Sequence, residues 1–423
     1  MKPVPHKPMG CYKLFLIKIS LLFSLIAAKS CEFDPTSNTL PSSPILLLIS
    51  LDGFAADYLN TSEVPHLDSL MQSGVAGALV PVFPTKTFPN HYTQVTGLYP
   101  ENHGIVSNRM YDEVFDEFFT IGSSSQSARD EKWYQGEPIW TTASKHGLIS
   151  ATMFWPGSDV EKENGRPDYY YPYNGSISVE ERVNQALAWL AMNTGRPNLI
   201  TLYFEKIDQA GHIHGPDKKP VRDEISRMDN ALGQLMHGIV QLGLADVVNI
   251  VITSDHGMIQ LSGDRVIFLD DYLELDQVEI INWTPLLELT PLETTGPNLY
   301  DRLKNAHPHL KAYLKQDTPE HWHYKDHHRI PAIVAQADAG WSISSRDYFK
   351  NHPESYSGGA HGYDPQVQAM HGIFIGSGPA FQVGAKLGAT ESVHLYQLLC
   401  KILEIKPALN DGDLKVWEPV LNR

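Results

Sequence analysis

The sequence predicts an α/β fold built around a mostly parallel sheet. Several continuous apolar runs are separated by segments with helical periodicity, and most of the runs end in an acidic or histidine side chain. Continuous rather than alternating apolar runs are typical of strands that are buried on both faces of a parallel sheet. The runs are "PILLLISLDG" (44–53), "LISATMFW" (148–155), "NLITLYFEKID" (198–208), "VVNIVITSDHG" (247–257) and "HGIFIGSGP" (371–379).

Helical patterns lie between these runs, at residues 64–74, 139–147, 178–192 and 221–243. The alternation of strand and helix indicates the α/β class. Residues 264–350 break the alternation, because they are rich in Pro, His, Asp and aromatic side chains. We predict that they form an inserted cap subdomain with small strands of its own. The main α/β domain would then comprise residues 31–263 and a return segment, 351–423.

Residues 1–30 have the pattern of a secretory signal peptide. Lysines precede the apolar run "LFLIKISLLFSLIAA" (14–28), and small residues follow it. The run is shorter than the roughly 20 residues of a membrane span, and Lys18 interrupts it. We therefore expect a secreted or periplasmic protein. Because Cys31 directly follows the predicted cleavage site, a lipoprotein is an alternative, as is an uncleaved anchor.

Charge and cysteine content exclude two classes of protein. The net charge of -16 argues against a main partner that is a nucleic-acid backbone, which requires basic patches. Small anionic substrates remain compatible, since bound cations reverse the local field. The three cysteines are Cys11, Cys31 and Cys400. Since Cys11 would leave with the signal peptide, at most one bridge remains, which is too few for a disulfide scaffold.

Three of the apolar runs lead into side chains that bind metals. Asp52 ends the first run, Asp208 follows the third, and Asp255 and His256 end the fourth. The carboxyl ends of parallel strands share one edge of the sheet, where ligands bind. Any one of these aspartates is explained equally well as a cap of the next helix or loop. Their repetition favours a shared site.

The spacing of these residues predicts two sets of three ligands. Asp208 and His212 are four residues apart, which places them on one helical turn, and His361 lies in the glycine-rich "GGAHGYDP" (358–365). Asp52, Asp255 and His256 form the other set. Aspartate and histidine donors suit zinc. Two such sites with open positions are typical of phosphoryl transfer.

The stretch "PTKTFPNHYTQVTGLYP" (84–100) contains the candidate nucleophile. Pro89 suits the first turn of a helix, and Thr87 then lies just before it, where free N–H groups favour an anion. A metal-bound hydroxyl of Thr87 would attack phosphorus. An ordinary threonine N-cap is the alternative role for this residue. Thr85 is the rival nucleophile, further from the start of the helix.

Several motifs together resemble one family of enzymes. These motifs are "SLDGF", "PTKTFPNHYTQVTGLYPENHGI", "GEPIW", "WPGSDVE", "GHIHGP", "SDHGM" and "AHGYDP". In this order they resemble the nucleotide pyrophosphatase/phosphodiesterases of the alkaline phosphatase superfamily, from about residue 44 to about residue 380. The resemblance implies an alkaline phosphatase-like three-layer sandwich. It also implies release of nucleoside 5′-monophosphates from nucleotide phosphodiester and phosphoanhydride bonds.

The resemblance also implies roles for individual residues. Thr87 would form a covalent intermediate, Asn108 would donate a hydrogen bond to a phosphoryl oxygen, and Phe88 and Tyr173 would sandwich a nucleobase. Two Zn²⁺ ions per chain are expected. The ligands of the first zinc would be Asp52, Thr87, Asp255 and His256, and those of the second would be Asp208, His212 and His361.

Some features depart from the family pattern. The segment "GSSSQSARDEK" (122–132) does not align with the part of the family that contacts the base, which leaves base preference open. The chain lacks cysteine-rich modules, from which we expect a compact bacterial member. The alternatives are a phosphomonoesterase, a phosphodiesterase for lysophospholipid or choline head groups, and a secreted binding protein with inactive metal sites. A sulfatase is disfavoured, because Thr87 is followed by Phe88, Pro89 and Asn90.

Overall fold

A nine-stranded sheet forms the centre of the protein, as seen in a computed structural model. The structure describes residues 43–122, 125–160, 165–292 and 299–422. The predicted signal peptide and Cys31 lie outside these ranges. The strands are β1 Ile45–Leu51, β2 Val75–Val80, β3 Arg109–Asp112, β4 Glu117–Thr120, β5 Ser150–Met153, β6 Tyr169–Tyr171, β7 Leu199–Phe204, β8 Val248–Thr253, β9 Ile259–Gln260, β10 Val266–Phe268, β11 Val278–Asn282, β12 Leu286–Pro291, β13 Leu310–Leu314, β14 Ile333–Ala337, β15 Ser342–Ser344, β16 Gly359–Ala360, β17 Gly372–Ser377, β18 Ala385–Lys386 and β19 Thr390–Glu391.

The strand order of the central sheet is β18-β2-β17-β8-β1-β7-β5-β6, and β19 also pairs with β2. Strand β1 lies between β7 and β8, parallel to both. The five predicted runs all contain strands of this sheet, which confirms the mostly parallel α/β class. Strand β17, however, runs antiparallel to both of its neighbours. An apolar run indicates burial on both faces but not direction, so the prediction of a parallel strand was wrong here.

Helices cover both faces of the sheet. Leu47 and Ile49 of β1 pack in one core with the helices at Pro65–Gln72, Val179–Leu190 and Lys219–Gln241. Leu46 and Leu48 pack in a second core with the helices at Thr87–Thr96, Ile139–Lys145 and Leu395–Ile402. This arrangement is the expected three-layer sandwich, because successive side chains of a strand point to opposite faces. The helices are α1 Tyr58–Thr61, α2 Pro65–Gln72, α3 Thr87–Thr96, α4 Pro100–His103, α5 Ile139–Lys145, α6 Val179–Leu190, α7 Lys206–His214, α8 Lys219–Gln241, α9 Leu299–Lys304, α10 Arg346–Asn351 and α11 Leu395–Ile402.

Helix α3 starts one residue earlier than the sequence suggested. Lys86 is the N-cap residue, with extended backbone and no side-chain cap bond, and Thr87 is the first helical residue. The role of Thr87 as an ordinary N-cap is therefore excluded. The helix ends at Gly97, which adopts a left-handed conformation (φ 68°) and so closes the C-terminus in the way glycine favours.

The region 264–350 contains small sheets of its own. Strands β11, β12, β14 and β13 form a four-stranded antiparallel sheet, and β10 pairs with β15. A separate cluster of buried side chains lies within this region. Trp322 and Tyr324, however, belong to one of the cores against the central sheet. The strands confirm that the region has its own sheet, while its boundaries as a cap subdomain stay a prediction.

Among the described residues, no helix is long and apolar enough to cross a membrane. Cys400 is buried and carries a free thiol.

Candidate active site

The predicted metal ligands converge at one edge of the central sheet. Asp52 directly follows β1, and Asp255 and His256 follow β8. Asp208 lies in the first turn of α7, just after β7. Strands β7, β1 and β8 are adjacent and parallel, so their carboxyl ends bring these side chains together.

We call Asp52, Asp255 and His256 the buried donor set. His256 Nε2 lies 3.0 Å from Asp255 Oδ2 and 3.5 Å from Asp52 Oδ1. The side chains of all three are at most 2% exposed. The sequence grouped the same three residues, and the structure brings them together.

Asp208, His212 and His361 form the second, open donor set. His212 Nε2 lies 3.4 Å from Asp208 Oδ1 and 3.1 Å from His361 Nε2. The side chain of His212 is 42% exposed. Asp52, Asp208 and His256 also bring donor atoms within 4.8 Å of one another, so the two sets adjoin.

The three histidines direct the same ring nitrogen towards the cluster. The Nδ1 atoms of His212, His256 and His361 lie 2.8–3.0 Å from the backbone carbonyl oxygens of Gly359, Gly257 and Thr85, respectively. Because a carbonyl oxygen only accepts, each Nδ1 donates its proton to that oxygen, and in the neutral form of the ring Nε2 would offer its lone pair to a metal. This is the arrangement that orients histidine ligands in metal sites.

Four atoms of the cluster are buried without a hydrogen-bond partner. They are Asp52 Oδ1, Asp208 Oδ1, Asp255 Oδ2 and His256 Nε2. Buried polar atoms without partners are costly. These four are three carboxylate oxygens and one imidazole nitrogen of the two donor sets. The residues present therefore fit metal cations with oxygen and nitrogen ligands.

The electrostatics of the cluster indicate the same need for positive charge. Burial raises the pKa of Asp52 well above its ordinary value, and the charges of Asp255 and Asp208 raise it further. Burial also raises the pKa of Asp208. Burial acts in the same direction on Asp255, but His256 and His91 outweigh it and lower the pKa of that carboxyl.

Two supporting residues of the buried set were not anticipated from the sequence. The Tyr203 hydroxyl donates to Asp52 Oδ2, which leaves Oδ1 to face the cluster. His91 lies 3.4 Å from Asp255 Oδ2, but its ring nitrogens also contact the Thr87 carbonyl (2.8 Å) and the Ser50 hydroxyl (2.7 Å). His91 thus supports Asp255 and the start of α3 rather than offering a free ligand atom.

Gly53 lies where the two donor sets meet. Its N–H donates to Asp255 Oδ1 (3.1 Å), and its φ of +68° is one that other residues rarely adopt. A Cβ at this position would lie 2.9 Å from the Cα and Cβ of Asp208. Only glycine allows this close approach.

A pocket of about 210 Å³ opens beside the donor sets and is lined by Thr87, Phe88 and Tyr173 as well as Asp52 and Asp208. The structure thus places the predicted nucleophile and both predicted base-stacking rings at one cavity. Part of the unaligned segment, which the sequence left without a role, also lines it. The lining residues not anticipated are Ile121, Gly122, Ser125, Ala128, Arg129, Phe154, Trp155, Pro156, Asp159, Tyr203, Glu205 and Gln209.

Asn108 is anchored next to the nucleophile. Its Oδ1 accepts a hydrogen bond from the Phe88 N–H (2.9 Å), so the amide nitrogen is the group left to donate. Thr85, the rival nucleophile, is fully buried. Its hydroxyl donates to the Tyr363 carbonyl (2.9 Å) and accepts from the Gly362 N–H (2.9 Å). These contacts occupy the hydroxyl and exclude Thr85 as the attacking group.

Comparison with known proteins identifies relatives over most of the chain. A family model described as type I phosphodiesterase / nucleotide pyrophosphatase matches residues 46–364. The Bis(5'-adenosyl)-triphosphatase enpp4 of Xenopus laevis is 40% identical over 384 residues, which cover 90% of this chain and 82% of the relative. The human ectonucleotide pyrophosphatase/phosphodiesterase family member 5 is 39% identical over 404 residues, covering 95% and 83%, respectively.

A solved structure agrees with the fold. Murine ectonucleotide pyrophosphatase / phosphodiesterase 5, as an inactive threonine-to-alanine variant in complex with AMP, superposes with a TM-score of 0.84 at 38% identity. The match covers 90% of this chain and all of the solved chain.

The expectation of a bacterial member finds no support, because these relatives are vertebrate proteins. The chain spans more than four-fifths of the enpp4 and family member 5 sequences. The absence of cysteine-rich modules therefore does not distinguish a bacterial protein from an animal one. The fold is alkaline phosphatase-like, and the chain belongs to the type I phosphodiesterase / nucleotide pyrophosphatase family, whose members are hydrolases.

Proposed function

We propose that the protein is a zinc-dependent nucleotide pyrophosphatase/phosphodiesterase that releases nucleoside 5′-monophosphates through a covalent intermediate on Thr87. One observation carries the proposal: the six predicted ligands and Thr87 meet beside a pocket that two aromatic side chains also line. Asp52, Asp255 and His256, with Thr87, are the proposed ligands of one Zn²⁺. Asp208, His212 and His361 are those of the other.

When bound, a pair of zinc ions polarises the phosphoryl group and makes hydroxyl and water better nucleophiles at neutral pH. The position of Thr87 suits the attack for reasons of its own. As the first residue of α3, it lies where free N–H groups and the positive end of the helix dipole favour an anionic group. Its hydroxyl gives up its proton to solvent as Oγ1 forms a bond to phosphorus, and the leaving group departs with the electron pair of the broken phosphorus–oxygen bond and takes up a proton from solvent. Water then cleaves the phosphorus–Oγ1 bond and restores the hydroxyl.

Asn108 has a geometry that supports a role in binding the transition state. With its Oδ1 held by the Phe88 N–H, its NH₂ group is available to donate to a non-bridging phosphoryl oxygen. The same contact fixes the backbone next to Thr87. Nucleophile and donor therefore keep a constant relation as charge develops on the phosphoryl group.

The pocket supports a nucleotide as the substrate. Phe88 and Tyr173 line it together, and stacking on an aromatic side chain is worth about 1–3 kcal/mol per base in single-strand binding. The relatives point the same way, since one is named a bis(5'-adenosyl)-triphosphatase and another was solved with AMP. Nucleoside triphosphates and dinucleoside polyphosphates are the substrates we propose first.

The surroundings of Thr87 favour diesters over monoesters. A monoester presents a third charged oxygen, for which an arginine is the natural partner. The arginine in the pocket lining, Arg129, has its Nε 3.3 Å from Asp159 Oδ2. Its charge is therefore already balanced. The place that the third charged oxygen of a monoester would occupy is therefore better suited to a neutral ester group that carries a base.

The test compares two chromogenic substrates. We expect kcat/KM for thymidine 5′-monophosphate p-nitrophenyl ester to exceed that for p-nitrophenyl phosphate by several orders of magnitude. In Phe88→Ala, turnover of the nucleotide ester should fall more than that of bis-p-nitrophenyl phosphate, because the latter carries no base. Equal values of kcat/KM for the first two substrates would favour a phosphatase.

Two other outcomes would replace the proposal. A screen in which lysophospholipids or choline esters are turned over faster than nucleotides would indicate a phosphodiesterase for lipid or choline head groups. Purified protein with neither bound zinc nor turnover would indicate a secreted binding protein. Secretion itself is proposed from the pattern of residues 1–30.

A further inference from the structure

Thr85 joins the segment that precedes the nucleophile to the loop that carries His361. Its backbone carbonyl accepts from His361 Nδ1 (2.8 Å). Its hydroxyl accepts from the Gly362 N–H and donates to the Tyr363 carbonyl, both at 2.9 Å. One fully buried residue thus contacts three consecutive residues of the loop.

These contacts determine how His361 faces the open donor set. With Nδ1 held by Thr85, His361 Nε2 lies 3.1 Å from His212 Nε2 and 3.8 Å from Asp208 Oδ1. Asp208 and His212 are fixed to each other by one turn of α7. His361, in contrast, lies on a loop, so its position depends on what holds that loop.

The region 264–350 also contacts both of these segments, through Trp322. The Trp322 ring stacks on Phe83, with centroids 3.9 Å apart. Its Nε1 donates to Asp364 Oδ2 (2.8 Å). Trp322 therefore contacts Phe83, which precedes Thr85 in the chain, and Asp364, which follows His361. Gly362 has a φ of +101°, which residues with a side chain rarely adopt, and a Cβ there would make a tight contact of 3.2 Å with Pro285 Cδ.

We propose that Thr85 is a positioning residue that sets the affinity of the open donor set for its metal ion, with Trp322 as its support. The inference rests on the proposed two-zinc function. It assigns the region 264–350 a part in metal binding, although none of the ligands lies in it.

The hydroxyl group of Thr85 is the feature to test. Valine has the same shape but cannot pair with the Gly362 N–H or the Tyr363 carbonyl, so Thr85→Val leaves two buried polar groups unsatisfied. Thr85→Ser keeps the hydroxyl. Loss of a partner that orients a ligand lowers metal affinity by about 10–100-fold.

The experiment measures zinc retention in the purified holoenzyme during titration with a chelator. We expect wild type to hold about two zinc ions. Thr85→Val should release one of them at a chelator concentration about 10–100-fold lower than wild type, while the other is unchanged. Thr85→Ser should behave like wild type. Thr96→Val is the matched control, because it removes a buried hydroxyl of α3 that contacts the Tyr92 carbonyl instead of the loop.

The outcomes separate this inference from the proposed function. If wild type binds no zinc, the proposed function fails first. If wild type binds two and Thr85→Val retains both as tightly, the inference is overturned, as it is if Thr96→Val loses zinc to the same extent. Should Thr85→Val not fold, Trp322→Phe is the second variant. It keeps an aromatic ring next to Phe83 but has no N–H to donate to Asp364. It should weaken the same zinc, and unchanged retention would overturn the inference.

Discussion

The buried and open donor sets use the same side-chain types but are anchored differently. Asp52, Asp255 and His256 follow the ends of two adjacent central strands and are almost inaccessible to solvent. The side chains of Asp208, His212 and His361 are 14%, 42% and 9% exposed, respectively, and they lie on a helix and a loop. A metal held by the buried set would therefore be surrounded mainly by protein, whereas one held by the open set would lie nearer the solvent.

This difference teaches that ligand chemistry alone does not define the role of each set. In the buried set, a cation compensates carboxylates that the fold removes from water, so metal binding and folding stability are coupled. In the open set only His212 is substantially exposed, and we expect affinity to depend on how the loop that carries His361 is held. Each of the following predictions tests one part of this comparison.

The largest effect on activity should come from Thr87→Ala, because Thr87 lines the pocket together with Asp52 and Asp208, one residue from each set. We expect kcat for the nucleotide ester to fall roughly 10⁴-fold or more, since the attacking group is lost. Thr87→Ser should keep part of the rate. Zinc content should remain about two per chain in both variants. Substantial turnover by Thr87→Ala would contradict the role of this residue.

Removal of one histidine from each set should separate the two sites. His256→Ala removes the buried ring whose Nε2 lies at ion-pair distance, 3.0 Å, from Asp255 Oδ2, so the free energy of unfolding should fall by about 3–5 kcal/mol. His212→Ala, at an exposed position, should lose one zinc with little change in stability. Denaturant unfolding and metal analysis of both variants check this prediction. Equal losses of stability would remove the distinction between buried and open.

Asp52→Asn should stabilise the metal-free protein. The raised pKa of Asp52, caused first by burial and then by Asp255 and Asp208, means that its charged form is unfavourable in the folded state. The folded state binds the proton more tightly, so metal-free stability falls as pH rises through this pKa. At pH 7 we therefore expect the free energy of unfolding of Asp52→Asn to rise.

Asp255→Asn is the control for this prediction, because His256 and His91 lower the pKa of that carboxyl despite burial. This substitution should destabilise the metal-free protein. Calorimetry or denaturant unfolding in chelator measures both variants. A destabilised Asp52→Asn would mean that the fold compensates the charge of Asp52 without metal.

The smallest effect is an acid dependence that arises outside both donor sets. Burial lowers the pKa of His103 to about 3. Between pH 6.5 and 3 the unfolded chain takes up a proton that the folded protein does not. The free energy of unfolding therefore decreases as the pH is lowered from 6.5 to 3, with a slope approaching about 1.4 kcal/mol per pH unit. In His103→Gln, metal-free unfolding at pH 5 and 7 should show a weaker dependence. An unchanged slope would assign the acid effect to other groups.

Much of the framework was predictable from the sequence, because burial on both faces leaves a clear pattern. The strands β1, β7 and β8 are mostly apolar and buried throughout, and the candidate ligands follow their ends. Strand β2, "VAGALV", is only partly buried, so its pattern is weaker. The direction of β17 depends on its neighbours, which no local pattern records.

The candidate ligands were visible in the sequence, whereas the residues that support them were not. An aspartate after an apolar strand is visible in a single sequence. Tyr203, however, contacts Asp52 from 151 positions away, and the contact between Thr85 and His361 spans 276. Arg182 and Glu205 form a buried pair beside the pocket whose partners are likewise distant in sequence. Such contacts follow only from the packed structure.

The lack of a side chain at Gly53 has a consequence for metal selectivity. Its N–H contacts Asp255, and its α-carbon lies against Asp208, so the backbone at this point is the spacer between the two sets. Any other residue at this position would push Asp208 away from the backbone beside Asp255 without altering a single donor atom. A search for variants with changed metal preference would therefore have to treat Gly53 as part of the site.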